Sequence, residues 1–71
     1  MAVYKKISLV GTSEKSVEEA IESAIRRAAL TLRNLSWFEV KEIRGSIDGR
    51  RVTQYQVVLE VGFRLEEEEP I

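Results

Sequence analysis

Read for its alternation of apolar and polar positions, the chain divides into three extended stretches and one helical one. From Ala2 to Val10, Val3, Ile7 and Leu9 share one parity, interrupted by Lys5, while Tyr4, Lys6 and Ser8 share the other. That pattern predicts a half-buried strand, closed by a turn at Gly11-Thr12-Ser13. Val17, Ala20, Ile21, Ala24, Ile25, Ala28, Leu32 and Leu35 then recur at helical spacing. They predict an amphipathic helix from Val17 to Asn34, about 27 Å long. Ser16 and Glu19 fit a capping box at its start. Glu14, Glu18, Glu19 and Glu22 precede Arg26, Arg27 and Arg33, the order a helix dipole favours.

Trp37 to Ile47 predicts a second strand and Arg51 to Leu65 a third, whose Tyr55, Val57, Leu59, Val61, Phe63 and Leu65 form one apolar face. Asp48-Gly49 between them reads as a type I′ hairpin turn. The fold class is therefore α+β: a β-α-β-β chain whose three-stranded antiparallel sheet, in the order 1-3-2, wraps around one helix. A single domain over 1–65 is expected, followed by an acidic, flexible tail over 66–71.

With Asp48 and Gly49 at the centre of the turn, Ile47 faces Arg50, Val40 lies opposite Val57 and Phe38 opposite Leu59, all on the helix-covered face. The same register sends Trp37, Glu39, Ile43 and Ile47 to the far face with Val52, Gln54, Gln56, Val58 and Glu60. A tryptophan at a helix-to-strand junction usually packs in a core, and outward glutamines are usually just hydrated. Here, however, several large apolar groups share a sheet face that nothing in so short a chain covers. Such a face marks an interface or a ligand surface.

Composition narrows the choice. The chain has 71 residues, a net charge of −1, no histidine and no cysteine. Disulfides and thiol chemistry are excluded, and the commonest metal ligand and general base is missing. A core this small usually needs help, and oligomerisation is the remaining route. Balanced charge lends no support to nucleic-acid binding. No apolar run has the length of a membrane span and Met1-Ala2-Val3 does not read as a signal peptide, so a cytoplasmic protein without membrane partners is expected. The run Glu66-Glu67-Glu68-Glu69 offers oxygen ligands for Ca²⁺ or Mg²⁺. A flexible tail lacks preorganised geometry, and no metal site is expected.

Gly11-Thr12-Ser13, Trp37-Phe38-Glu39-Val40, Arg44-Gly45, Tyr55-Gln56-Val57 and Val61-Gly62-Phe63-Arg64-Leu65-Glu66, in this order and at this spacing, resemble the dodecins of bacteria. The resemblance runs from Tyr4 to Glu66. It implies a small flavoprotein that assembles into a hollow homo-dodecamer and holds flavin rings in pairs between subunits. By resemblance, Trp37 is the residue that stacks on the ring, Gln56 hydrogen-bonds its polar edge, and Arg44 contacts the phosphate or ribityl chain. The glutamate run after Leu65 departs from the family pattern. The expected cofactor is a flavin (FMN, riboflavin or FAD), with a second site for coenzyme A left open.

The residue chemistry suits those roles. An indole offers a broad π-face with few rotatable bonds to freeze. A neutral amide offers both a donor and an acceptor to a ring edge of carbonyls and N–H groups. In the register above Gln56 lies opposite Lys41, four residues from Trp37, roughly 13 Å along the strand. Ring stacking and edge recognition would therefore come from different subunits. The function expected is a non-catalytic flavin store or buffer, since Glu39 and Glu42 are the only acid-base candidates on the second strand. The alternative is a ligand-free assembly module with Trp37 buried at a subunit contact.

Overall fold

A computed structural model describes residues 1–66. The chain order is β1 (Tyr4–Ser13), α1 (Val17–Ala29), β2 (Leu35–Asp48) and β3 (Arg51–Arg64). The strands form one antiparallel sheet in the order β1-β3-β2, as the alternation predicts. The long apolar strand is central, and α1 lies over β1 and β3. Val57, Leu59 and Val61 of β3 are sealed beneath Ala20 and Ala24 of α1, with Ile7, Leu9, Val17, Ile21, Ile25 and Leu35 packed around them. The alanines let the helix approach closely. Gly11 completes the fit, because a Cβ there would run into the Ala20 carbonyl and meet the Ala24 methyl at 3.0 Å.

Several local expectations change. Gly11-Thr12-Ser13 continues β1, pairing with Val57, Gln56 and Tyr55, instead of turning. The buried Ser13 hydroxyl then accepts from the backbone N–H groups of Lys15 (2.9 Å) and Ser16 (3.3 Å) and donates to Glu19 Oε1 (3.1 Å). The capping box is half of the expected one: Ser16 Oγ accepts from Glu19 N at 3.0 Å, but the Glu19 carboxylate reaches Ser13. Satisfying donors at the helix start through Ser13 ties the strand end to the helix.

The helix also stops at Ala29, five residues before Asn34. Leu30 N and Thr31 N bond back three residues, to Arg27 O and Ala28 O, which tightens the last turn. Asn34 adopts a left-handed φ of 64°. Its carbonyl accepts from Arg64 N at 3.1 Å and its side-chain amide donates to Arg64 O at 3.2 Å. Leu35, in step with the helical stripe, instead opens β2 opposite Phe63.

The hairpin turn is centred on Gly49-Arg50, with Asp48 paired to Arg51. Only Gly49 has positive φ, at 64°. That is the φ pattern of a type II′ turn, not the expected I′. The register moves with the turn and with three irregularities: Val40 faces Leu59, Phe38 faces Val61 and Trp37 faces Gly62. Between Val40 and Glu42 a bulge takes up Lys41 and reverses the parity of everything beyond it. Ile43 therefore lies opposite the core residue Val57, on the helix side of the sheet, and not on the far face. Of the tail expected over 66–71, Glu66 pairs with Arg33 at 3.5 Å; the remainder lies outside the described residues.

Length decides what the helix covers. Thirteen helical residues span about 20 Å, whereas fourteen strand residues span about 46 Å. The hairpin outruns its helix, and the molecule is drawn out to 61 × 20 × 14 Å.

Candidate functional site

Two surfaces stand out, and Trp37 marks the first. Phe38 shares the helix side with Val61, and Trp37 points away from it, as the alternation predicts. The indole crosses the sheet over Gly62. A Cβ on that glycine would strike Cε2 and Cζ2 of the ring and come within 2.7 Å of Cδ2. The six-membered ring thus sits on bare β3 backbone. Beyond it lies Tyr4, at a centroid distance of 5.0 Å and a tilt of 54°, within the range of favourable aromatic pairs. Although the ring rests on backbone and on Tyr4, Trp37 remains 40% exposed.

Beside the indole, Lys6 of β1 bridges Glu39 of β2 at 2.8 Å and Glu60 of β3 at 2.9 Å. Lys41 backs the same carboxylates at 3.9 and 3.7 Å. Hydrogen bonding to Lys6 is the main cause that holds both carboxyls below their ordinary value. For Glu39 the charges of Lys41 and Lys6 come next, and the Trp37 side chain adds a smaller hydrogen-bonding contribution. The two carboxylates raise the Lys6 ammonium in turn.

Gln56 and Arg44 come together some way off. They are directly opposite in the sheet, and Arg44 Nε donates to Gln56 Oε1 at 2.9 Å. Arg44 Nη1 also donates to Glu42 at 2.9 Å, and Gln56 Nε2 donates to Gln54 Oε1 at 2.8 Å. This register corrects the expected pairing of Gln56 with Lys41, which instead occupies the bulge. Gln56 is six positions along β3 from the residue facing Trp37, roughly 20 Å at strand spacing. The structure therefore unites Arg44 with Gln56 and leaves Trp37 well apart from both.

The second surface lies past the start of α1. Val17, Ile43, Ile47, Val52 and Tyr55 line an apolar groove of about 260 Å³. Ile43, Ile47 and Val52 are 57%, 74% and 54% exposed. Sequence periodicity placed these three on the uncovered far face. The bulges carry Ile43 to the helix side, where it shares the groove with Ile47 and Val52, and the helix is too short to reach them. They are uncovered, for a different reason.

Sequence reading missed Gly62, Tyr4 and Lys6 around the tryptophan. A glycine inside a strand that is otherwise apolar was the available signal, since it marks a place where something approaches the backbone. Its partner only becomes evident once the register is known.

Among the described residues no helix is long and apolar enough to cross a membrane. Comparison with known proteins is direct. The family model for dodecin matches residues 3–66. Dodecin from Thermus thermophilus is 68% identical over 65 residues, covering 92% of this chain and 94% of that protein. The crystal structure of the tt0972 protein from Thermus thermophilus, 65% identical, superimposes with a TM-score of 0.92 over 96% of this chain and all of that one. A more distant relative, calcium dodecin from Mycobacterium tuberculosis, is 33% identical over 70 residues and 99% of each chain. With its β-α-β-β order, its 1-3-2 sheet and a match along nearly its whole length, the chain belongs to the dodecin family.

Proposed function

We propose that this protein is a non-catalytic flavin store of the cytoplasm, assembling into a hollow homo-dodecamer that sequesters flavins in stacked pairs between subunits. Membership of a self-associating family supports the assembly, and one observation carries the ligand: an indole that rests on the Gly62 backbone yet stays 40% exposed. Side chains exposed to this degree and braced from behind are suited to receive a flat aromatic guest. Stacking a nucleobase on an aromatic residue is worth about 1–3 kcal/mol, a fair measure for one face of an isoalloxazine ring.

Gln56 serves the polar edge of the ring. Its bonds to Arg44 and Gln54 use one lone pair and one N–H, leaving one of each for a ligand. Arg44, half-exposed and bonded through Nε and Nη1, keeps further N–H groups for a phosphate or ribityl oxygen. Because roughly 20 Å separates Trp37 from Gln56, one subunit supplies the stack and another the edge contact. Binding then requires assembly.

A second reading, a ligand-free assembly module, is favoured by the groove between Val17, Ile47 and Val52, which needs a protein cover whatever becomes of Trp37. Titrating riboflavin, FMN and FAD with the purified protein, followed by flavin fluorescence, separates the two. The store quenches the flavin, and Trp37→Ala weakens binding at least about tenfold, or about 1.4 kcal/mol. Gln56→Ala weakens binding while native mass spectrometry shows the assembly intact. Wild-type protein that ignores all three flavins, with an oligomer that falls apart on Trp37→Ala, would establish the assembly module instead.

A further inference from the structure

We propose that Gly62 and Tyr4 are positioning residues for the Trp37 indole, fixing the plane on which the ligand ring stacks. The inference rests on the flavin reading and adds two residues to it, both acting through the indole. Three features of the seat point the same way. The floor is bare backbone: any side chain at position 62 would enter the space of the six-membered ring. Tyr4 packs against the indole, its ring at 5.0 Å and 54°. Alongside runs the Lys6–Glu39–Glu60 bridge across all three strands.

The consequence for recognition is geometric. A tryptophan side chain has two free torsions, and a strand leaves more than one rotamer open to it. Stacking needs one plane. If the ring were free to swing, the ligand would pay the cost of ordering it at each binding event. With the ring resting on Gly62 and packed against Tyr4, that order is already present, and the part of the ring left exposed is offered in one orientation. Gly62 is buried, so its lack of a side chain is not a surface accident. Tyr4 is 45% exposed, so its ring can be changed without opening the core.

Three variants test this: Gly62→Val, Tyr4→Ala and Tyr4→Phe. Each is followed by near-ultraviolet circular dichroism, flavin fluorescence titration and native mass spectrometry. Gly62→Val should alter the aromatic dichroism and weaken flavin binding at least about tenfold, with the assembly state unchanged. Tyr4→Ala should do the same more mildly, about three- to tenfold, the worth of one aromatic pair. Tyr4→Phe, which keeps the ring and loses the hydroxyl, should match wild type. Tyr4→Ala with altered dichroism but wild-type affinity overturns the proposal, and so does Tyr4→Ala with unaltered dichroism. Should Gly62→Val disturb the assembly, the two Tyr4 variants still decide. Wild-type protein without any flavin affinity overturns the storage function; the dichroism of Tyr4→Ala then still decides whether the seat exists.

Discussion

At the helix-covered end of the molecule Val57, Leu59 and Val61 are 0–1% exposed, whereas at the hairpin end Ile43, Ile47 and Val52 are more than half exposed. The residues are equally apolar, and β3 contributes to both sets. What differs is length. A helix rises 1.5 Å per residue and a strand more than twice that, so thirteen residues of α1 roof less than half the length of a hairpin whose strands have fourteen residues each. Evolution of a lone monomer would favour polar residues on the unroofed half. Their absence fits the proposed assembly, in which a neighbouring copy of the chain would complete the second half of the core. Fully covering a Val or Ile side chain is worth about 1.5–3 kcal/mol, so a neighbour seated in the groove would gain several kcal/mol from these residues alone.

That contrast can be broken at either end, and the covered end should break hardest. Leu59→Ala empties space at a position with no solvent exposure, between Val40 on one side and Leu9 on the other. It should cost about 2–5 kcal/mol in a denaturant titration. The hairpin end should behave oppositely. Ile43→Asp leaves the fold of one chain close to unchanged, because an exposed substitution usually shifts stability by less than about 0.5 kcal/mol. A buried charge in the assembled groove, however, has no partner. Sedimentation should show smaller species while the far-ultraviolet dichroism persists. An intact oligomer in Ile43→Asp would remove the groove from the assembly contacts.

The same contrast explains how far sequence reading reaches. The alternation of β3 and the 3.6-residue stripe of α1 are averaged over many positions, so strand order, helix face and core residues were all legible. The bulge at Lys41 depends on one extra residue, which no periodicity announces, and it moved Ile43 across the sheet and set Arg44 opposite Gln56. Leu32 and Leu35 extended the helical stripe by coincidence, since Leu35 belongs to β2. At the candidate site Trp37 was legible through its isolation on the far parity. Tyr4, Lys6 and Gly62 were not, because their proximity to it exists only across strands.

The smallest effect expected concerns the charge cluster beside Trp37, and it is best read through pH. Glu39 and Glu60 are held below the ordinary carboxyl value of 4.5, chiefly by hydrogen bonds from Lys6. A carboxyl depressed by folding adds stability that is present above 4.5 and lost as pH falls through its lower folded value. Lys6 is raised above its ordinary 10.5, so its contribution is present below 10.5 and lost only at more alkaline pH. Between these limits the cluster acts in full. All three groups are solvent-accessible, and exposed ion pairs are weak and screened by salt. Lys6→Met removes the bridge and leaves two carboxylates facing each other, with only Lys41 nearby at 3.9 and 3.7 Å. Like charges then push both carboxyls upward. Wild type should exceed Lys6→Met in stability at neutral pH, and the difference should shrink as the carboxylates are protonated below 4.5. Thermal melts of both proteins at several pH values in low salt measure it. A difference constant from neutral to acid would show that Lys6 acts through packing of its stem over the sheet, and that its charge adds nothing to stability.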